Sequence, residues 1–296
     1  MQALSHTFPR LGAFFFEHGL AKRGELITRY QALGFTAVQI GDPLLSELVA
    51  HPSQAKAVAE DFREAGLDII GLAGYRNIIA PDLTKRRANL DHLKACMELA
   101  PALGTSVVAT ETGTFHPTNE WYPSPENSSP QAWSVLCESV GELLETAKKT
   151  GTVLAIEGYV NNIVGRLDHL DTLFRTFPSQ HLMLMLDPYN YITRDLVPTA
   201  DLICEEFLTR YADRFVIAHL KDVAPFGADG EPHGEQARAD LVGTPEFCTG
   251  IFPQQSYIRF LRNRRPDLPI IFEHLPEANL PAAIRRFRVL AGLPIR

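Results

Sequence analysis

Short apolar runs recur along the chain, and each ends at a glycine, a proline or a polar residue. The run from Leu182 to Leu186 shows the pattern most clearly, because five apolar residues lead directly into Asp187 and Pro188. An unbroken apolar run of this length, closed by a turn signal, predicts a strand that is buried on both faces. Segments of this kind lie at residues 10–16, 36–40, 67–73, 106–109, 152–156, 182–186, 215–218 and 269–272.

Longer segments with apolar residues at helical spacing lie between the predicted strands. Residues 53–65 predict one such helix, with Ser53 as its N-cap and Gly66 at the point where it ends. The other predicted helices span residues 22–33, 85–103, 132–150, 168–177, 200–212, 254–264 and 281–291. Strands and helices therefore alternate along the whole chain.

Strict alternation of strands and helices is typical of βα units with parallel strands. Eight such units in 296 residues fit a (β/α)8 TIM barrel. We therefore predict an α/β fold in which residues 1–296 form a single TIM-barrel domain. A doubly wound open sheet is the alternative, but it usually has fewer strands, and no Gly-x-Gly-x-x-Gly motif follows the first strand.

Composition and charge narrow the class of protein mainly by exclusion. Hydrophobic residues make up 45% of the chain and charged residues 21%, which is ordinary for a soluble globular protein. The formal net charge of -7 does not favour a nucleic-acid partner, and no apolar run approaches the roughly 18 residues of a membrane span. The four cysteines lack metal-binding spacing and are expected to be reduced. We expect a cytoplasmic protein with no nucleic-acid or membrane partner.

Four potential metal ligands follow four of the predicted strands. Glu157, Asp187, His219 and Glu273 each come directly after an apolar run. In a (β/α)8 barrel the carboxyl ends of all strands meet at one rim, where active sites lie. We therefore expect the four side chains to converge at that rim, which we call the mouth of the barrel.

The chemistry of these side chains points to a bound cation. Three adjacent carboxylates raise one another's pKa unless a cation balances their charge. Three oxygen ligands and one imidazole suit one divalent metal ion (Mn2+, Mg2+, Co2+ or Zn2+), and the absence of thiolates disfavours a structural zinc site. Such an ion can act as a Lewis acid and stabilise the enediolate formed when a proton leaves the carbon beside a carbonyl. Glu157 and Glu273 are the natural pair for removing and returning that proton.

Short sequence patterns accompany the four ligands in a definite order. They are Tyr75-Arg76-Asn77 followed by Pro81-Asp82, residues 100–104 before the fourth strand, Asp187-Pro188-Tyr189-Asn190, His219-Leu220-Lys221-Asp222 and Phe272-Glu273-His274-Leu275. With these patterns the chain resembles, over nearly its whole length, the xylose-isomerase-like (β/α)8 superfamily of sugar phosphate isomerases and epimerases.

This resemblance implies a divalent-metal enzyme that acts on a sugar or polyol, with Glu157 and Glu273 as metal ligands and acid/base catalysts. One departure concerns the reaction. Ketose 3-epimerases of the superfamily usually follow the seventh-strand histidine with an acidic residue and an arginine, whereas Lys221 and Asp222 follow His219 here. The Lys-Asp pattern also occurs in dehydratases and isomerases of inositol-type substrates.

Asn190 and Lys221 are predicted to contact the substrate. Asn190 orients Asp187 or a substrate hydroxyl, although an asparagine after a strand is often only a turn residue. Lys221 contacts a substrate oxygen, or it forms a structural ion pair with Asp222 or Glu157.

Glu111 and His18 are further candidates for substrate binding. They follow the fourth and first strands, so both are expected at the same rim, where they bind hydroxyl groups or lie on the loop surface. The polar segments 117–130 and 222–253 are expected to cover the mouth as loops.

The sequence favours a metal-dependent isomerase or epimerase of a small ketose, aldose or cyclitol. The runner-up is a metal-dependent dehydratase of a keto-inositol-type substrate, which shares the proton abstraction and then expels a β-hydroxyl. A DNA-repair endonuclease of the superfamily would need further histidines where the chain has Gly74, Thr110-Glu111 and Asn190. A non-catalytic sugar-binding barrel is a remote alternative, because it has no need for paired glutamates. Association into a homo-oligomer is left open.

Overall fold

A computed structural model of the protein describes residues 8–15, 18–225, 241–244 and 246–295. Its strands are β1 (Arg10–Ala13), β2 (Ala37–Ile40), β3 (Asp68–Ala73), β4 (Val107–Glu111), β5 (Val153–Glu157), β6 (Leu182–Leu186), β7 (Phe215–Leu220), β8 (Val223–Pro225), β9 (Leu241–Gly243) and β10 (Pro269–Phe272). Eight of them form one parallel sheet in the order β1-β10-β7-β6-β5-β4-β3-β2. With helices between its strands, this sheet is the predicted TIM barrel.

The barrel is nearly closed where the two end strands of the sheet, β1 and β2, approach each other. The N–H of Thr36 donates to the carbonyl of Leu11 at 2.9 Å. A Cβ on Gly12 would lie only 2.1 Å from the carbonyl oxygen of Ala37. Glycine at position 12 therefore permits the close approach of the two backbones.

The unbroken apolar runs are explained by the two faces of the sheet. In β5, Leu154 and Ile156 pack outward in the core beneath the helices, whereas Ala155 packs inside the barrel. The same alternation continues around the sheet, and the inner cluster consists of Ala37, Ile70, Ala109, Ala155, Met185, Ile217 and Ile271. Both faces exclude water, so the middle positions of strands such as β5 and β6 are apolar on both faces.

The helices are α1 (Arg23–Ala32), α2 (Leu44–Ala50), α3 (Ala55–Glu64), α4 (Leu83–Leu99), α5 (Pro130–Thr150), α6 (Leu167–Thr176), α7 (Ala200–Arg210), α8 (Gln254–Asn263) and α9 (Leu280–Leu290). All eight predicted helices are present. Among these described helices, none combines the length and the apolar character that crossing a bilayer requires.

The region between β2 and α3 differs from its prediction. Helix α2 was not expected, and it forms because Asp42 accepts from the backbone N–H of Ser46 at 3.1 Å while apolar side chains of the helix pack into the core. The prediction of Ser53 as N-cap is wrong. Ser53 lies in a short 3-10 turn, Pro52–Gln54, which continues directly into α3, so no side chain caps that helix.

The segment after β7, expected to be a loop, begins and ends with ordered structure. Strands β8 and β9 pair antiparallel, with Val223 opposite Gly243. Asp222, 1% exposed, accepts backbone N–H groups from Val223 at 2.8 Å, Gly250 at 3.0 Å and Phe252 at 3.3 Å. One buried carboxylate thus holds both ends of this segment at the mouth.

The loop over residues 117–130 is fastened to the loop that follows β5. Asn161 donates to the carbonyl of Trp121 at 3.2 Å, and Asn127 donates to the carbonyl of Asn161 at 3.0 Å. The two loops therefore form one wall of the mouth.

Replacing Asp222 with alanine is expected to lower the free energy of unfolding by about 2–4 kcal/mol, because three backbone donors lose a charged acceptor in a buried place. Urea unfolding followed by circular dichroism measures the loss. The matched control is Asp213→Ala at an exposed position, expected to stay within about 0.5 kcal/mol of wild type. Equal stability of the two variants would contradict the role given to Asp222.

Candidate metal centre

The alternation of side chains along the strands determines where the four predicted ligands point. The residue two positions before each ligand belongs to the inner cluster, as Ala155 does for Glu157 and Ile271 does for Glu273. Because strand side chains alternate between faces, the ligands project into the barrel axis one layer above that cluster. The other pairs are Met185 with Asp187 and Ile217 with His219.

All four predicted ligands converge, and each is at most 7% exposed. His219 Nδ1 lies 3.4 Å from Glu273 Oε2, 3.6 Å from Glu157 Oε2 and 3.6 Å from Asp187 Oδ2. One ligand atom from each residue lies within 4.8 Å of the others. Side chains separated by up to 116 positions therefore surround one point at the mouth.

The orientation of His219 is set by Gln39, which sequence reasoning missed. The imidazole Nε2 lies 3.0 Å from Gln39 Oε1, and both side chains are buried. This contact makes Nε2 a protonated nitrogen and directs Nδ1 at the three carboxylates. Gln39 lies two positions after Ala37, whose side chain faces into the barrel, so the side chain of Gln39 faces inward as well. A polar residue in an otherwise apolar strand was the feature of the sequence that could have identified Gln39.

Buried atoms without hydrogen bonds mark the centre of this cluster. Within the part of the chain that the structure describes, His219 Nδ1 and Asp187 Oδ1 form none, and Asp187 Oδ2 has only the Lys221 ammonium at 2.7 Å. Buried polar atoms are normally paired, and an imidazole nitrogen among carboxylate oxygens is a donor set that divalent metal ions accept. The residues therefore fit a bound metal.

The charges of the cluster support the same conclusion. Three carboxylates and the ammonium of Lys221 leave two negative charges in a nearly solvent-excluded place. Burial lowers the pKa of His219, but Glu273 and Glu157 outweigh burial and raise it well above its usual range. Without another cation, a proton on His219 offsets part of the charge, and a divalent ion would offset all of it.

Neutral donors hold both oxygens of Glu157. The hydroxyl of Tyr75 donates to Oε2, and Asn190 Nδ2 donates to Oε1 at 2.8 Å. Asn190 thus reaches the cluster as predicted, although its partner is Glu157 and not Asp187. Tyr75 was noticed only as part of a pattern. Tyr75 follows β3 and is preceded by a glycine. Neither feature of the sequence indicates that the side chain of Tyr75 reaches β5.

Lys221 lies at the centre of the cluster. Its ammonium is 2.8 Å from Glu273 Oε2 and 2.7 Å from Asp187 Oδ2, so neither of the partners considered from sequence, Asp222 and Glu157, is the one it contacts. Burial raises the pKa of Glu273, but the charges of Lys221 and His219 more than offset burial, and the pKa falls well below its usual range. Glu273 is therefore a carboxylate.

Glu111 lies beside Glu157, as its strand position predicts. The two residues are direct partners in the pairing of β4 with β5, and Asn162 Nδ2 donates to Glu111 Oε2 at 2.8 Å. Burial, reinforced by the negative charge of Glu157, raises the pKa of Glu111 well above its usual range. The surroundings of Glu111 therefore favour its protonated form over its carboxylate form.

None of the described contacts of His18 involves the four predicted ligands. Its ring nitrogens are 3.0 and 3.3 Å from the guanidinium of Arg29, and Nε2 is 3.8 Å from Glu25. Both partners belong to α1. Its role in substrate binding stays a prediction.

The chain belongs to the family described as xylose isomerase-like TIM barrel, whose model matches residues 27–290. No curated protein matches the sequence.

Many solved structures share the fold. They include 3-keto-D-glucoside 4-epimerase, YcjR, from E. coli in its apo form (16% identity over 95% of this chain and 99% of that chain, TM-score 0.69). The probable 3-DHS dehydratase AsbF from Bacillus anthracis is similar (16% identity, 92% and 94%, TM-score 0.67). So is a xylose isomerase-like TIM barrel protein from Mycobacterium smegmatis in complex with magnesium (17% identity, 93% and 89%, TM-score 0.63). At these identities the likeness establishes the fold and not the activity.

Gln39→Leu is expected to weaken the binding of Mn2+ about 10- to 100-fold, because His219 loses the acceptor that fixes its ring and tautomer. Isothermal titration calorimetry on metal-stripped protein measures the affinity. Gln131→Leu, at an exposed position of α5, is the matched control and should bind as wild type does. Unchanged affinity in Gln39→Leu would refute the orienting role.

Metal binding is expected to strengthen as the pH rises. The pKa of His219 is raised in the metal-free protein, so at neutral pH an incoming ion must displace its proton. Below that pKa the apparent affinity should increase by up to about tenfold per pH unit, with roughly one proton released per ion. Calorimetry at pH 6, 7 and 8 in buffers of different ionisation enthalpy counts the protons. Affinity that is independent of pH, without proton release, would contradict this charge state.

Proposed function

We propose that the protein is a divalent-metal-dependent isomerase or epimerase of a small ketose, aldose or cyclitol. The observation that carries this proposal is the convergence of Glu157 and Glu273 with Asp187 and His219 in one buried cluster at the mouth. Strands β5 and β10 are separated in the sheet by β6 and β7, so the two glutamates approach the cluster from different directions. A substrate bound between them presents one face to each.

When bound, the metal ion supplies a Lewis acid for adjacent oxygens of the substrate. Glu157, Asp187, His219 and Glu273 would hold the ion, and Asp187 and His219 have no other part in the proposal. Glu157 is fixed by Tyr75 and Asn190, and as a carboxylate it can accept the proton on the carbon beside the carbonyl.

Glu273 is placed to act on the opposite face of the substrate. Its pairing with Lys221 keeps it ionised in the free protein, so a proton that it delivers to the opposite face must first reach it from solvent water, while the proton removed by Glu157 is released to solvent. If a proton is added to the opposite face of the carbon, the stereocentre is inverted. If a proton is added to the neighbouring carbon of the enediolate, the carbonyl group moves. Glu111 and Asn162 beside it can bind hydroxyl groups of the substrate.

A metal-dependent dehydratase is the second candidate. The Lys221 ammonium lies within the cluster, where it can give a proton to a departing β-hydroxyl after Glu157 has taken the α proton. The C–O bond then breaks, a C=C bond forms and one water leaves. The similarity in fold to a probable dehydratase agrees with this candidate but does not favour it over the first.

The other two alternatives receive less support. The extra histidines that a DNA-repair endonuclease would need are not among the residues of the described cluster. A sugar-binding barrel without catalysis does not require two glutamates whose oxygens are held by Tyr75, Asn190 and Lys221.

Proton exchange tests the proposal. Protein loaded with Mn2+ is incubated with ketoses, aldoses and keto-cyclitols in deuterated water, and wild type is expected to introduce deuterium beside the carbonyl of at least one of them. Glu157→Gln and Glu273→Gln should each lower this rate about 10²- to 10⁴-fold, because each removes a proton acceptor. NMR follows the exchange, and mass spectrometry of the products separates isomerisation from loss of water.

Glu138→Gln, at an exposed position of α5, is the matched control and should exchange at the wild-type rate. Elemental analysis of every variant separates loss of the metal from loss of the base. Metal-loaded wild type that exchanges no substrate of the panel would support the sugar-binding barrel instead.

A further inference from the structure

The residue after Glu273 adopts a backbone conformation that costs free energy. His274 has a φ of +55°, and in the described part of the chain only one other non-glycine residue, Cys248 at +65°, has a positive φ. The left-handed region brings Cβ close to the backbone in every residue except glycine. Asparagine, aspartate and histidine enter it more often than other non-glycine residues do, and side chains held there cluster at functional sites.

The turn at His274 ends β10 and leaves Glu273 in place. The N–H of Glu273 still donates to the carbonyl of Leu220 at 2.9 Å, so the strand pairing continues to that residue. The positive φ of His274 then changes the direction of the chain, and the partly buried side chain of Leu275 packs against the core. Glycine would make this turn without strain, so the turn alone does not explain a histidine.

Packing does not explain the imidazole either. The side chain of His274 is 60% exposed, whereas that of Glu273 is 9% exposed. No residue of the described chain forms a hydrogen bond with the ring. Its ring approaches the carboxylate of Glu273, with Nε2 3.6 Å from Oε1, the oxygen opposite the one that Lys221 contacts.

We propose that His274 is a substrate-binding residue, whose imidazole hydrogen-bonds an oxygen on or next to the carbon that faces Glu273. This assignment rests on the proposed function. A ring nitrogen 3.6 Å from Glu273 Oε1 can hold such an oxygen while the carbon lies within reach of the carboxylate. An imidazole can donate to a carbonyl or accept from a hydroxyl, so the ligand is a polyhydroxylated carbonyl compound, bound on the β10 side of the mouth.

Two substitutions separate the ring from the backbone conformation. His274→Gly keeps the turn and removes the imidazole. Because glycine relieves the strain but adds entropy to the unfolded chain, the Tm should stay within about 2 °C of wild type. With the best substrate of the exchange panel, kcat/KM should fall roughly 10- to 100-fold. His274→Asn tolerates the same φ and keeps a short donor, so it should lose about tenfold or less.

Cys248→Gly is the control for relief of the same strain elsewhere and should leave kcat/KM unchanged. A readout independent of turnover comes from the 15N spectrum of the imidazole nitrogens, in which the signals of His274 are those absent from His274→Asn. For this measurement the protein is loaded with Mg2+ and contains no Mn2+. Titration with the best substrate of the exchange panel, with xylitol or with myo-inositol should shift the signals of His274.

The outcomes separate the two proposals. Turnover that is unaffected in His274→Gly overturns the assignment of His274 and leaves the proposed function intact. A shifted His274 signal without any exchange supports the binding role and overturns the proposed catalysis. If no compound is turned over and none shifts the signal, both proposals fall.

Discussion

The structure depends on how three carboxylates can be buried together. Glu157, Asp187 and Glu273 lie at most 7% exposed around one imidazole, where unbalanced charge is costly. One ammonium, from Lys221, neutralises a single charge. The remaining two require protons or a dication, so the donor set of this site fits a bound metal ion.

The barrel makes this burial possible because it is rigid below the site. The inner cluster fills the lower part of the barrel with aliphatic side chains, and the four ligands form the next layer. Each ligand is attached to a strand that is paired on both sides, which holds its position more precisely than a loop could. The outer contacts are equally specific, since Gln39 orients His219 and Asp222 fastens the segment above it.

The two proposed acid/base residues differ in their surroundings. Glu157 is held by the neutral donors Tyr75 and Asn190, whereas Glu273 lies beside Lys221 and His274. Burial raises the pKa of both glutamates, but the charges of His219 and Lys221 outweigh burial and lower both, so either group can accept a proton. This asymmetry is consistent with epimerisation, isomerisation and dehydration, whose first step is the same.

The eight βα units, with β6 and β10 at the residues predicted, and the four candidate ligands at the strand ends could be predicted from the chain alone. Local periodicity suffices there, because burial on both faces acts on every residue of a strand. The residues that contact the four candidate ligands could be identified only in the folded barrel. Gln39 and His219 are 180 positions apart, and Tyr75 and Glu157 are 82 apart. The charged partners of Lys221 and the hairpin β8–β9 likewise depend on which segments meet at the mouth. Such contacts leave no periodic trace in the chain, because they follow from the closure of the barrel and not from the neighbours of each residue.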